Sequence, residues 1–211
     1  MRHIPLAVRT LVCSALSLTA SCTILAPEPD LSRFFTLTPT VAGAPGDISH
    51  TTSGRRFTYG LGPITIPAYL DRDVIVTRES ATEISYSSTD RWAEPLQRNV
   101  SQVLLRDLSV LLGTDRIVVY PWPTTTTVDY QIQVDVLTFD CNATGNCQLI
   151  ARWAIRDGRT HAVALLRQSA FTRAAASRDA KSAVAELSAA LGELSKEIEQ
   201  ALQRLAADGR G

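Results

Sequence analysis

Across residues 129–156 the chain alternates. Tyr130, Ile132 and Val134 fall on one side and Gln131, Gln133 and Asp135 on the other. After a short polar break, Leu149, Ala151, Trp153 and Ile155 oppose Arg152 and Arg156. A period of two belongs to strands with one buried and one solvated face. A sheet of that kind must have its apolar side covered, so the pattern excludes an all-helical bundle and calls for covering elements elsewhere in the chain. Asp157 and Gly158 form a tight-hairpin signal, and residues 160–171 supply a third strand, which makes an antiparallel meander. His161 falls in that strand, alternating with Val163 and Leu165, and reads as a core or rim histidine rather than a base.

Two segments have the period needed for the cover. Leu96, Val100, Val103, Leu104, Leu108, Leu111 and Leu112 recur at three and four, predicting one amphipathic helix that starts near residues 90–95 and ends at Gly113. Residues 178–205 carry Val184, Leu187, Leu191, Leu194, Ile198, Ala201 and Leu205 at heptad spacing. A coiled coil with a partner and a helix laid on the sheet both satisfy that pattern. The run is short for a free coiled coil and a sheet face needs covering, which favours the second.

Shorter strands are expected at 33–38, 57–66, 74–77, 83–86 and 117–120. The strand at 57–66 is broken by Gly62, Pro63 and Pro67 and so belongs at an edge or carries a bulge. The strands at 74–77 and 83–86 suit a hairpin, and residues 40–56, rich in Gly, Ser, Thr and Pro, read as a loop. The expected class is α+β: a mostly antiparallel, mixed sheet with two long amphipathic helices packed on one face.

The N-terminus has a different character. Arg2 and Arg9 flank a basic start, and an apolar run of about 11 residues follows, which suits a signal-peptide core and is too short to span a bilayer. Thr19, Ala20, Ser21 and Cys22 then resemble a bacterial lipobox, in which small side chains precede a cysteine that is thioether-linked to diacylglycerol. Leu18 stands one position further upstream than the usual leucine. The expected organisation is a leader at 1–21, the lipidated Cys22 with a short proline-containing tether to residue 32, and a single domain over 33–207. Thr23 in place of an aspartate leans towards the outer membrane. No second apolar run approaches membrane-spanning length.

Acidic and basic residues balance at 21 each over 211 residues, and no basic stripe argues for nucleic acid. Cys141 and Cys147 bracket a turn-rich stretch. In an oxidising compartment they are most simply a disulfide, with free thiols or a metal site as the alternatives. The sequence offers no nucleophile elbow, no phosphate-binding glycine loop and no paired histidines at metal spacing. No catalytic residue, metal or cofactor is therefore expected. Arg91 and Trp92 read either as a recognition patch or, for the tryptophan, as a packing anchor.

Several segments carry a resemblance. Residues 61–72 (LGPITIPAYLDR), 74–78 (VIVTR) and 91–96 (RWAEPL), with 35–37 (FTL) and 134–139 (VDVLTF), resemble the PqiC/YmbA family of ABC-type transport auxiliary lipoproteins over nearly the whole body. The resemblance implies a non-catalytic, lipid-anchored protein on the periplasmic face of the outer membrane. It would serve an MCE-domain conduit and its ABC transporter or membrane components in moving lipid or another hydrophobic compound. Docking at the outer end of that conduit as a homo-oligomeric ring of copies is a separate expectation. Tyr69 and Arg72 in the first motif, and Arg91 and Trp92 in the third, are the partner-contact candidates. The alternative is a lipoprotein that scaffolds the envelope or binds the cell wall.

Overall fold

The computed structural model describes residues 29–43 and 57–208. Residues 1–31 and 32–211 cluster as separate units, and every named element lies in the second. In chain order these are β1 (Arg33–Phe35), β2 (Tyr59–Thr65), β3 (Val74–Arg78), β4 (Ile84–Trp92), α1 (Leu96–Leu111), β5 (Ile117–Val119), β6 (Tyr130–Asn142), β7 (Asn146–Asp157), β8 (Val163–Ala174) and α2 (Ala180–Asp208).

The fold is α+β, built on one curled, mixed eight-stranded sheet. β6 is its hub. Along one edge it pairs antiparallel with β7, which pairs antiparallel with β8, giving the expected meander. Its other edge is divided: β2 runs parallel to its first half and β3 parallel to its last residues. β3 and β4 form the expected antiparallel pair, β1 is parallel to β4, and β5 is parallel to β2. A one-residue register shift would turn every side chain to the wrong face, so bulges sit where the pattern changes phase. One falls in β2 between Leu61 and Ile64, where Pro63 needs no ladder bond. Another falls in β6 between Val136 and Thr138, so the buried set passes from Ile132, Val134 and Val136 to Phe139 and Cys141. β2 is thus bulged, but it is an inner strand with β5 outside it.

Both helices bury the residues their periodicity selects. Leu96, Val100, Val103, Leu104 and Leu108 of α1 are buried, and Gly113 at φ 59 ends the run. Val184, Leu187, Leu191, Leu194, Ile198 and Ala201 of α2 are buried against α1, β7 and β8, so its heptad stripe is spent inside the domain. Arg167 and Arg173, on the covered side of β8, reach up to Glu197 and to Glu186 and Glu193 of the helix. Trp153 is 1% exposed, and its indole N–H donates to Ser169 Oγ at 3.0 Å. The disulfide joins Cys141 to Cys147, directly paired across β6 and β7.

Two local readings are corrected. The first helix starts at Leu96 because β4 continues to Trp92, held by β1 through the pair Phe35 and Trp92. His161 is not in a strand. It sits exposed in the β7–β8 turn at φ 58, where Asp157 Oδ1 accepts from the backbone N–H groups of Arg159 and Thr160. Gly158 serves close approach there: a Cβ would lie 1.9 Å from the Val128 carbonyl oxygen.

Candidate functional site

The turn from β2 to β3 carries the first resemblance motif, and it is pinned from below. Tyr69 Oη donates to Asp140 Oδ2 at 2.7 Å, and Arg78 donates to both oxygens of the same carboxylate, Nε to Oδ1 at 2.9 Å and Nη2 to Oδ2 at 2.7 Å. The Arg78 guanidinium also lies 5.6 Å from the centre of the Tyr69 ring. Asp140 is 3% exposed, so both its oxygens are desolvated and both are answered. Burial, and then the hydrogen bond to Asp140, push the Tyr69 phenol up to about 12. The pair with Asp140 holds the Arg78 guanidinium above its ordinary range. Tyr69 is therefore a fixed foot of the turn. Asp140 was not singled out from the sequence, because the bulge in β6 hides which face it takes.

Above that foot the surface is open. Arg72 is exposed, its guanidinium 5.8 Å from the ring centre of Tyr86, which is itself 46% exposed. Arg91 Nη1 donates to Asp73 Oδ2 at 2.7 Å, and Arg33 pairs with Asp90 at 2.7 Å. The β3–β4 hairpin and the turn before it thus present arginines and a tyrosine together. Trp92, neighbour to Arg91 in sequence, points the other way: it is 6% exposed and lies in the core. Alternation along a strand separates the two. The ring is a packing anchor, and the surface consists of Arg72, Tyr86 and Arg91. Tyr86 is the residue that sequence reasoning passed over, although an aromatic residue beside arginines in a hairpin was a usable signal.

Cys22, the expected lipidation site, lies outside the described residues. Among the described residues, no group of three or more His, Cys, Asp or Glu is placed to hold a metal, and no helix is long and apolar enough to cross a membrane.

Comparison with known proteins adds the following. A profile of the family described as ABC-type transport auxiliary lipoprotein component matches residues 35–199. No curated protein matches the chain. Among solved structures, protein XCC0632 from Xanthomonas campestris is 15% identical, with a TM-score of 0.70, covering 85% of this chain and all of its own. An uncharacterized protein is 16% identical, with a TM-score of 0.66, covering 81% of this chain and 98% of its own. These two likenesses show the fold. The PelC dodecamer from Paraburkholderia phytofirmans, 11% identical with a TM-score of 0.40, covers 67% of this chain and 85% of its own, a likeness too slight to carry an argument.

Proposed function

We propose, from the premise that this chain belongs to the family of ABC-type transport auxiliary lipoprotein components, that it is held at the periplasmic face of the outer membrane by acyl chains on Cys22. There it docks an MCE-domain conduit that carries lipid or another hydrophobic compound. The family is one of auxiliary transport components, membrane-anchored in the cell envelope and associated with a transporter; the outer membrane, the MCE partner and the cargo are our reading. The observation that carries it is the match over residues 35–199, which takes in the arginine hairpin and the turn that supports it.

Physical reasoning fits that role. Two or three acyl chains make release from a bilayer negligible, where one binds only marginally. A short tether confines the domain to a thin layer beside the membrane and raises its effective concentration towards a partner there. The domain then acts by gripping proteins. The arginine and tyrosine side chains of the hairpin are the types that anchor protein interfaces.

Two measurements test this. Mass spectrometry of the native protein should show acylated Cys22 at the mature N-terminus, and Cys22→Ala should move the protein from the membrane fraction to the soluble one. Crosslinking in intact membranes, followed by purification, should bring down an MCE protein. Recovery of peptidoglycan with no MCE protein would instead favour the scaffold reading.

A further inference from the structure

Between residues 36–39 and α1 lies an open cleft of about 440 Å³. One wall is the extended chain that continues β1. The other is the ridge of α1 that carries Asn99, Gln102 and Arg106. Asn99 is 2% exposed, and its amide nitrogen has no hydrogen-bond partner. Its oxygen receives only a long contact, 3.4 Å, from the Thr36 hydroxyl. A buried amide without an acceptor is destabilising, so a helix face that keeps one calls for an acceptor arriving from outside.

The surroundings define that acceptor. Glu94, Gln102 and Arg106 line the cleft, and among the described residues their side chains have no hydrogen bond or ion pair. Glu94 stands before the helix and Arg106 lies seven residues beyond Asn99, about 10 Å along the axis. Six of the ten lining residues are polar or charged. An acyl chain would bury them without answering them, whereas a polypeptide offers a carbonyl at every residue. Extended chain advances about 3.3 Å per residue, so about three residues span Asn99 to Arg106.

We propose that this cleft takes an extended peptide segment of a protein partner. One backbone carbonyl accepts from the Asn99 amide, whose buried nitrogen turns outward to meet it, and an apolar side chain packs on Pro39 and Leu105. An acidic group about three residues from that carbonyl pairs with Arg106, and a basic group at the other end faces Glu94. The inference rests on the reading of this domain as a partner-gripping module, and it names the chemistry gripped. Its failure would leave acylation and MCE capture to be decided by their own measurements.

The test is a titration of the full mature chain with the blocked peptide acetyl-Lys-Ala-Leu-Ala-Asp-amide, read on the Asn99 side-chain amide resonance. Saturable binding in the millimolar range or tighter is expected. It should weaken by about tenfold in the exposed variant Arg106→Glu, be lost in Asn99→Leu, and persist in Arg159→Glu, an exposed residue of the β7–β8 turn. Arg106→Glu keeps the test open should Asn99→Leu fail to fold. Equal binding of the peptide with Lys and Asp exchanged would overturn the polarity on which the proposal stands. Saturable binding of dihexanoylphosphatidylglycerol in place of the peptide, lost in the same variants, would make the cleft an amphiphile site. No saturable shift with either probe would also overturn the proposal.

Discussion

Two buried carboxylates show how differently one residue type is used. Asp140 has both oxygens bound by Arg78 and Oδ2 also by Tyr69, so losing Arg78 leaves the desolvated Oδ1 unanswered, whereas losing Tyr69 removes one of two bonds to Oδ2. Tyr69→Phe, which deletes one hydrogen bond, should lower unfolding stability by about 1 kcal/mol near neutral pH. The phenols of Tyr69 and Tyr59 are both pushed up to about 12, in each case chiefly by burial. A folded-state pKa above the unfolded value of 10.0 means that the stabilisation is whole below pH 10 and is lost as pH rises towards 12. Tyr69→Phe should therefore also reduce the alkaline slope of stability. Urea titrations of both proteins across that window check it, and an unchanged slope would refute the assignment. Asp107 is the opposite case. Fully buried, it accepts from Val41 N–H and from the Ser195 hydroxyl at long distances, 3.3 and 3.4 Å, and burial drives its carboxyl above the usual range. Its charge is a burden: stability is fullest below the unfolded value of 3.8 and falls as pH rises through the folded pKa. Asp107→Asn keeps an acceptor for Val41 and offers a donor to Ser195. It should raise the urea midpoint at neutral pH and lose that advantage in acid, and a lower midpoint at neutral pH would show that the charge is needed.

At the level of elements, α2 is fitted to the rest of the chain by a missing side chain. A Cβ on Gly192 would lie 2.0 Å from Thr40 Oγ1, so glycine is kept mid-helix although alanine would favour the helix by about 1 kcal/mol. Gly192→Ala alone should destabilise by roughly 1–3 kcal/mol through overpacking. Combined with Thr40→Ala, which removes the obstructing oxygen, the effect should shrink or change sign, and a thermal double-mutant cycle measures that coupling. If the two substitutions add independently, the contact does not govern the glycine. Contacts of this kind are what a sequence conceals. The meander from β6 to β8 and both helices were legible because each satisfies its own local period. The full length of β4 was not, since its final turns depend on β1, more than fifty residues earlier. The parallel pairings of β2 and β3 with β6 left no periodic trace, because a strand's alternation does not reveal the direction of its neighbour. The same limit applies to the hairpin surface. Arg72 and Arg91 were legible as exposed cations and Trp92 as either a contact or a packing anchor; what decides for the anchor is strand phase beyond the expected end of β4.

For the whole molecule, the question is whether the arginine hairpin grips a partner or merely decorates the surface. Exposed pairs such as Arg91 with Asp73 contribute about 0–1 kcal/mol to stability, so charge reversal there leaves the fold standing. Truncating Trp92 is a different intervention: emptying a buried aromatic site costs about 3–5 kcal/mol and would abolish binding by unfolding the domain. The informative variant is therefore the pair Arg72→Glu and Arg91→Glu. It should retain the unfolding midpoint and the membrane location of the parent, yet recover about tenfold less transporter partner after mild crosslinking, a coupling of about 1.4 kcal/mol. If the contact is electrostatic, recovery by the parent should fall as salt is raised, because screening shortens the reach of exposed charges to about 8 Å at physiological ionic strength. The variant should show little of that dependence. Equal recovery by variant and parent at every salt concentration would remove the hairpin from the docking surface and leave the cleft beside α1 as the place to look for the grip.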